Sequence, residues 1–94
     1  MIEIFGFDKE TMYCPNCMKA VKFCEDNGYE YKFHSVISGI ERGQFVRDID
    51  VCTELMDRMG IENTDKVIVP KIFVDGEYIG GVTDMKNHFK CLQN

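Results

Sequence analysis

The chain has 94 residues, with 11 Lys and Arg against 16 Asp and Glu, a formal charge of −5 and an isoelectric point near 4.9. That balance repels a phosphate backbone, so nucleic acid is excluded as an expected partner. The length predicts one domain, residues 1–94, and 45% hydrophobic with 12% aromatic residues excludes a disordered chain, because enough surface can be buried to offset conformational entropy.

Met1-Ile2-Glu3-Ile4-Phe5 lacks a basic segment leading into a long apolar run, and no run reaches the roughly 18 apolar residues that a membrane span needs. The expectation is a soluble, unexported, cytoplasmic protein. Five cysteines are an odd number, spaced as one tight pair and three scattered singles. This suits a redox or metal motif better than a secreted disulfide scaffold. Cys24, Cys52 and Cys91 are read as small buried hydrophobes.

In chain order, Ile2 and Ile4 alternate with Glu3 and Phe5 up to Gly6, a short strand, and Phe7 to Tyr13 form a loop. From Pro15 the period changes. Cys17, Ala20, Val21 and Cys24 make a helical stripe that closes near Gly28. Tyr29, Tyr31 and Phe33 alternate with Glu30, Lys32 and His34 as a second strand. Ser38 and Glu41 have capping-box spacing, and Phe45, Ile49, Cys52, Met56 and Met59 predict a second helix ending at Gly60, irregular at its start because of Gly39 and Gly43.

Lys71-Ile72-Phe73-Val74, Asp75-Gly76 and Glu77-Tyr78-Ile79-Gly80 read as a hairpin with a two-residue turn. Thr83 is the expected cap of a last helix with stripe Met85, Phe89 and Leu92. The order β-α-β-α-β-β-α predicts an α/β thioredoxin fold, a four-stranded mixed sheet flanked by three helices.

Cys14-Pro15-Asn16-Cys17 falls where a loop ends and a helix begins. Pro15 suits the first helical turn, where its missing N–H would be unpaired anyway. The free amides and the positive dipole end favour a thiolate at Cys14, the nucleophile in disulfide exchange. Cys17, one turn inward, is close enough to close a Cys14–Cys17 disulfide yet sheltered. Cys14 is therefore expected to attack and Cys17 to resolve the mixed disulfide. The competing reading, half a zinc site, needs about four ligands, and no second close pair exists in the sequence.

The Cys14-Pro15-Asn16-Cys17 site, the Val69-Pro70 step, Gly80-Gly81 and Thr83-Asp84 together resemble glutaredoxins over nearly the whole chain. Ile4-Phe5-Gly6-Phe7-Asp8, Phe73, Ile79-Gly80-Gly81 and Phe89 look similar to the small glutaredoxins of T-even-like bacteriophages in particular. The resemblance implies a cis Pro70 facing the active cysteine, with the Val69 backbone free to pair with an extended thiol substrate. It implies glutathione as reducing co-substrate, held at Val69, Gly81, Thr83 and Asp84, with Lys71 either on the glycyl carboxylate or a solvated edge-strand charge; Tyr13, beside the attacking sulfur, is read as part of the docking rim. No bound cofactor is expected beyond the redox-active disulfide.

The implied role is electron transport and redox homeostasis as a monomer, reducing glutathione mixed disulfides and a protein such as ribonucleotide reductase. Thioredoxin reductase is an alternative electron source. A [2Fe–2S] carrier completed by glutathione is the competing class, against which Pro15 argues. Asn16 departs from the tyrosine common between the cysteines, and the segment from Val36 to Asp50 is longer than in minimal glutaredoxins.

Overall fold

The computed structural model describes residues 1–7, 14–61 and 69–92, so the predicted loop from residue 8 onward and Tyr13 lie outside the described residues. The elements are β1 (Ile2–Gly6), α1 (Pro15–Asp26), β2 (Tyr31–Ser35), β3 (Ile37–Glu41), β4 (Gln44–Arg47), α2 (Ile49–Met59), β5 (Lys71–Val74), β6 (Glu77–Gly80) and α3 (Val82–Leu92). Four strands form the main sheet in the order β2-β1-β5-β6. β1 pairs parallel with β2 and antiparallel with β5, and β5 pairs antiparallel with β6. This is the expected mixed sheet with three helices.

Alternation along β1 sends side chains to both faces of this sheet. Ile2 and Ile4 join Ala20 and Cys24 of α1, Ile72 and Met85 in one core cluster. Phe5 joins Val36, Ile37, Cys52, Leu55 and Phe73 in the other, on the α2 side. Glu3 shares the Phe5 face, where the Arg58 guanidinium pairs with it and also meets Glu54 at 2.7 Å. The same guanidinium lies over the Phe5 and Phe73 rings, 5.6 and 5.3 Å from their centroids, so a cation–π contact holds α2 to the sheet. His34 stacks on Phe5 at 4.6 Å, a structural position.

The Asp75-Gly76 turn is as read, both residues being left-handed at φ 52° and 84°, as a type I′ hairpin requires. The second helix is not. Instead of starting near Ser38, the chain first forms a separate hairpin, β3–β4, whose turn residues Arg42 and Gly43 are left-handed at φ 52° and 77°. Ser38 is a strand residue whose hydroxyl donates to the Val46 carbonyl at 3.3 Å. The helix begins only at Ile49, after Asp48, whose carboxylate accepts the Val51 N–H at 3.1 Å as the N-cap, and its buried face is Cys52 and Leu55, with Ile49 exposed. Replacing Asp48→Ala should therefore cost about 1 kcal/mol in urea unfolding. Ser38→Ala should cost only a few tenths, the reverse of what a cap at Ser38 would give.

Candidate active site

The site is assembled at the end of β1 and the start of α1. Cys14 has extended backbone (φ −122°, ψ 104°), and its carbonyl accepts the first helical bond from Met18 N–H at 3.0 Å, which makes it the N-cap. Its Sγ accepts the Cys17 N–H at 3.3 Å, the bond that a Ser or Asp oxygen makes in an ordinary cap. Pro15 occupies the first helical position, as its fixed φ allows. A sulfur that receives a helix-terminal amide is an acceptor strengthened by negative charge.

The partner thiol is in a different environment. Cys17 is fully buried, while Cys14 retains 8% exposure. Burial, the hydrogen bond of its thiol to Cys14 and the charge on Cys14 push Cys17 up from 9.0 to about 12, against a smaller opposing pull from the Phe7 backbone. Cys17 thus stays protonated while its thiol supports Cys14. Cys24, further along the same stripe, is buried and pushed up to about 11, by burial first and then by Glu25. Cys52 is buried, its thiol donating to the Val36 carbonyl at 3.4 Å. Both fit the expected hydrophobe role, and the Cys91 side chain lies outside those described. Among the described residues, no three His, Cys, Asp or Glu side chains are grouped to hold a metal.

Val69-Pro70 is a cis peptide. With Asn16, Lys71, Gly81, Val82 and Thr83 it lines an open groove of about 280 Å³ beside the first turn of α1. The structure thus brings five of the expected ligand residues together, Val69, Pro70, Lys71, Gly81 and Thr83, and adds Asn16 and Val82. The Lys71 ammonium lies over the Tyr78 ring, 5.9 Å from its centroid.

Thr83 is not the cap of α3. The Gly81 carbonyl accepts the Met85 N–H at 3.0 Å, and the Asp84 carboxylate reaches back to the Gly81 N–H at 3.0 Å, so Gly81 is the N-cap and Asp84 closes the turn. Asp84 thus makes one half of a capping box, accepting the cap's own N–H, while glycine supplies no side-chain oxygen for the other half. Gly80 is constrained by the same carboxylate, which occupies the space a Cβ would take, and by its φ of 125°. Asp84, the remaining expected ligand residue described, has one oxygen occupied and is exposed, and it does not line the groove.

The residue the sequence reading missed is Gly6. A Cβ there would lie 2.6 Å from Cys17 Sγ and 3.3 Å from the Phe33 ring. In the sequence it reads only as a strand breaker; a glycine ending a strand that points at a CxxC motif is the available signal. Gly6→Ala should displace the Cys17 sulfur and destabilise the reduced protein by about 1–3 kcal/mol in urea unfolding. A second outcome follows from the raised thiols. Folded Cys17 and Cys24 keep their protons above 9.0, where unfolded thiols lose theirs. Stability of the reduced protein should thus be fully present below pH 9.0 and fall as pH rises towards about 12, read by unfolding across that range. A flat profile would contradict the burial of these thiols.

No protein-family model matches the sequence, and no curated protein matches it either. Solved structures do. Glutaredoxin 1 from Francisella tularensis, solved with cacodylate, is 27% identical over 99% of this chain and 96% of its own, with a TM-score of 0.57. Reduced Escherichia coli glutaredoxin is 26% identical over 99% and 98% of the two chains, with a TM-score of 0.64. A buckwheat glutaredoxin solved as its glutathione complex is 21% identical over 96% of this chain and 69% of that one, with a TM-score of 0.60. The fold is the α/β thioredoxin fold in the form that glutaredoxins have, and these neighbours support thiol–disulfide exchange as its general chemistry.

Proposed function

We propose that the chain is a glutathione-dependent dithiol–disulfide oxidoreductase, of the kind found in the small glutaredoxins of T-even-like bacteriophages. The observation that carries this reading is the asymmetry of the pair: Cys14 Sγ on the Cys17 amide at the helix start, and Cys17 buried and protonated beneath it. The Cys14 thiolate attacks one sulfur of a substrate disulfide, forming a mixed disulfide and releasing the other sulfur as a thiolate that takes a proton. Cys17 then gives up its proton and attacks Cys14 Sγ, closing the Cys14–Cys17 disulfide and releasing the second thiol. Two glutathione molecules restore the dithiol and leave as glutathione disulfide.

The sequence of events matches the charges. Two causes that hold the Cys17 proton, the hydrogen bond to Cys14 and its charge, disappear once Cys14 is capped in the mixed disulfide. Cys17 is thereby loosened when it is needed. Glutathione as co-substrate is supported by the groove at Val69, Pro70 and Thr83 and by the glutathione complex of the buckwheat glutaredoxin. Thr83 and Asp84 take the γ-glutamyl end, Lys71 the glycyl carboxylate, and Tyr13 forms part of the rim. On this reading it works as a cytoplasmic monomer, and the family resemblance alone supports ribonucleotide reductase as a protein substrate.

The test is reduction of a glutathione mixed disulfide on a small thiol, coupled through glutathione reductase to NADPH loss. Cys14→Ser should fall to background. Cys17→Ser should keep this turnover within a few-fold while losing reduction of protein dithiol disulfides. Full activity in Cys14→Ser would overturn the mechanism.

A further inference from the structure

The groove beside Cys14 is sized for a peptide thiol, but a folded substrate needs more contact; even transient redox encounters bury several hundred Å² per partner. The β3–β4 hairpin supplies a surface of that kind. Of the large apolar side chains exposed among the described residues, Ile40 at 53%, Phe45 at 50% and Ile49 at 76% lie on the hairpin or the first turn of α2. Ile40 and Phe45 are direct cross-strand partners, so their side chains form one patch on one face. Beside it an open cleft of about 540 Å³ is lined by Glu41, Arg42, Gln44, Phe45 and Val46. An apolar centre with a polar rim is the anatomy of a binding surface.

The patch is continuous with the reactive pair. Phe45 stacks on Phe7, ring centroids 6.4 Å apart and planes within 14°. Phe7 immediately follows Gly6, the residue whose backbone meets Cys17 Sγ. The apolar face thus runs from Ile40 and Phe45 to Phe7 at the end of β1, the strand end that meets Cys17. The patch carries no hydrogen-bonding requirement of its own, so it selects for apolar side chains and not for one sequence.

We infer that the Ile40–Phe45 face of the β3–β4 hairpin is a docking surface for disulfide-bearing polypeptide substrates with apolar side chains beside the disulfide. The inference rests on the thiol–disulfide reading above and adds to it where the substrate is held. Small mixed disulfides do not reach the hairpin and are indifferent to it.

The test compares two synthetic peptides closed by one disulfide, one with Phe and Leu beside a cysteine and one with Ser at both places, alongside the small glutathione mixed disulfide. The wild type should reduce the Phe/Leu peptide with kcat/KM about tenfold above the Ser peptide. Ile40→Thr/Phe45→Thr, which places a strand-favouring β-branched residue at both positions, should erase that ratio and leave the small substrate unchanged. Ile40→Thr alone, which leaves the Phe7–Phe45 stack intact, should reduce the ratio and serves if the double variant misfolds. Equal rates for the two peptides in the wild type, beside normal turnover of the small substrate, would overturn the docking surface while sparing the redox reading. Loss of the small substrate in the wild type would instead overturn the redox reading itself. Dimerisation of the wild type that Phe45→Thr abolishes would assign the patch to a second copy and overturn the proposal.

Discussion

The approach of the Cys17 sulfur to the backbone of Gly6 is the constraint on which the site depends. β1 is an inner strand with β2 on one side and β5 on the other, so its register sets both neighbours. Phe5 opposite Lys71 fixes where β5 begins, and hence where the cis Val69-Pro70 step lies. Gly6, one residue further, admits the sulfur of α1 into the space its own side chain would fill. One missing Cβ thus lets the helix start, the sheet edge and the groove meet at one point. Larger residues at Gly6 would push α1 away from the groove, with consequences for both.

Within that point the two thiols divide the work by position along a single helical turn. Cys14 sits at the cap, where unsatisfied amides favour an acceptor. Cys17 sits where those amides are behind it and the core is around it, so burial dominates its ionisation. Pro15 contributes by starting the helix at a fixed residue, which makes the sulfur at position 14 the cap and not a helical side chain.

Much of this was legible in the sequence because local signals agreed with the tertiary structure. The stripe Cys17, Ala20, Cys24 is buried as a helical face should be, and Asp75-Gly76 turns as its residue types dictate. The β3–β4 hairpin was not legible. The apolar spacing of Cys52, Met56 and Met59 extends backward through Ile49 and Phe45, both exposed, by coincidence, and Ser38 with Glu41 mimics a capping box. The real cap, Asp48, has Val51 three residues on and so shows no box at all. Arg42-Gly43 lacks the Asn or Asp that marks a type I′ turn, and Arg42 adopts a left-handed conformation that the sequence gives no reason to expect. Thr83 failed as a cap for a related reason: the helix begins two residues earlier at a glycine that has no side-chain oxygen, and pattern reading favours the hydroxyl nearest the helix start.

The misread segment is also the one the fold leaves free to vary. β3 and β4 form a sheet of their own and add no strand to the main one. Their base is fixed by Val36 and Ile37 in the core beside Phe5 and Leu55 and by Val36 N–H on the Gly6 carbonyl at 2.9 Å, while Ile40 and the Arg42-Gly43 turn stand exposed. α2 is anchored through Arg58 on Glu3, Phe5 and Phe73 and through Cys52 and Leu55 in the core, none of which involves the hairpin's tip. Residues at the tip of β3–β4 can therefore change without disturbing β1, Gly6 or the cysteines. A fold whose chemistry is confined to one helical turn can acquire substrate preference only through such attached surfaces, and the exposed Ile40–Phe45 pair is where this chain has placed apolar side chains that folding alone does not bury.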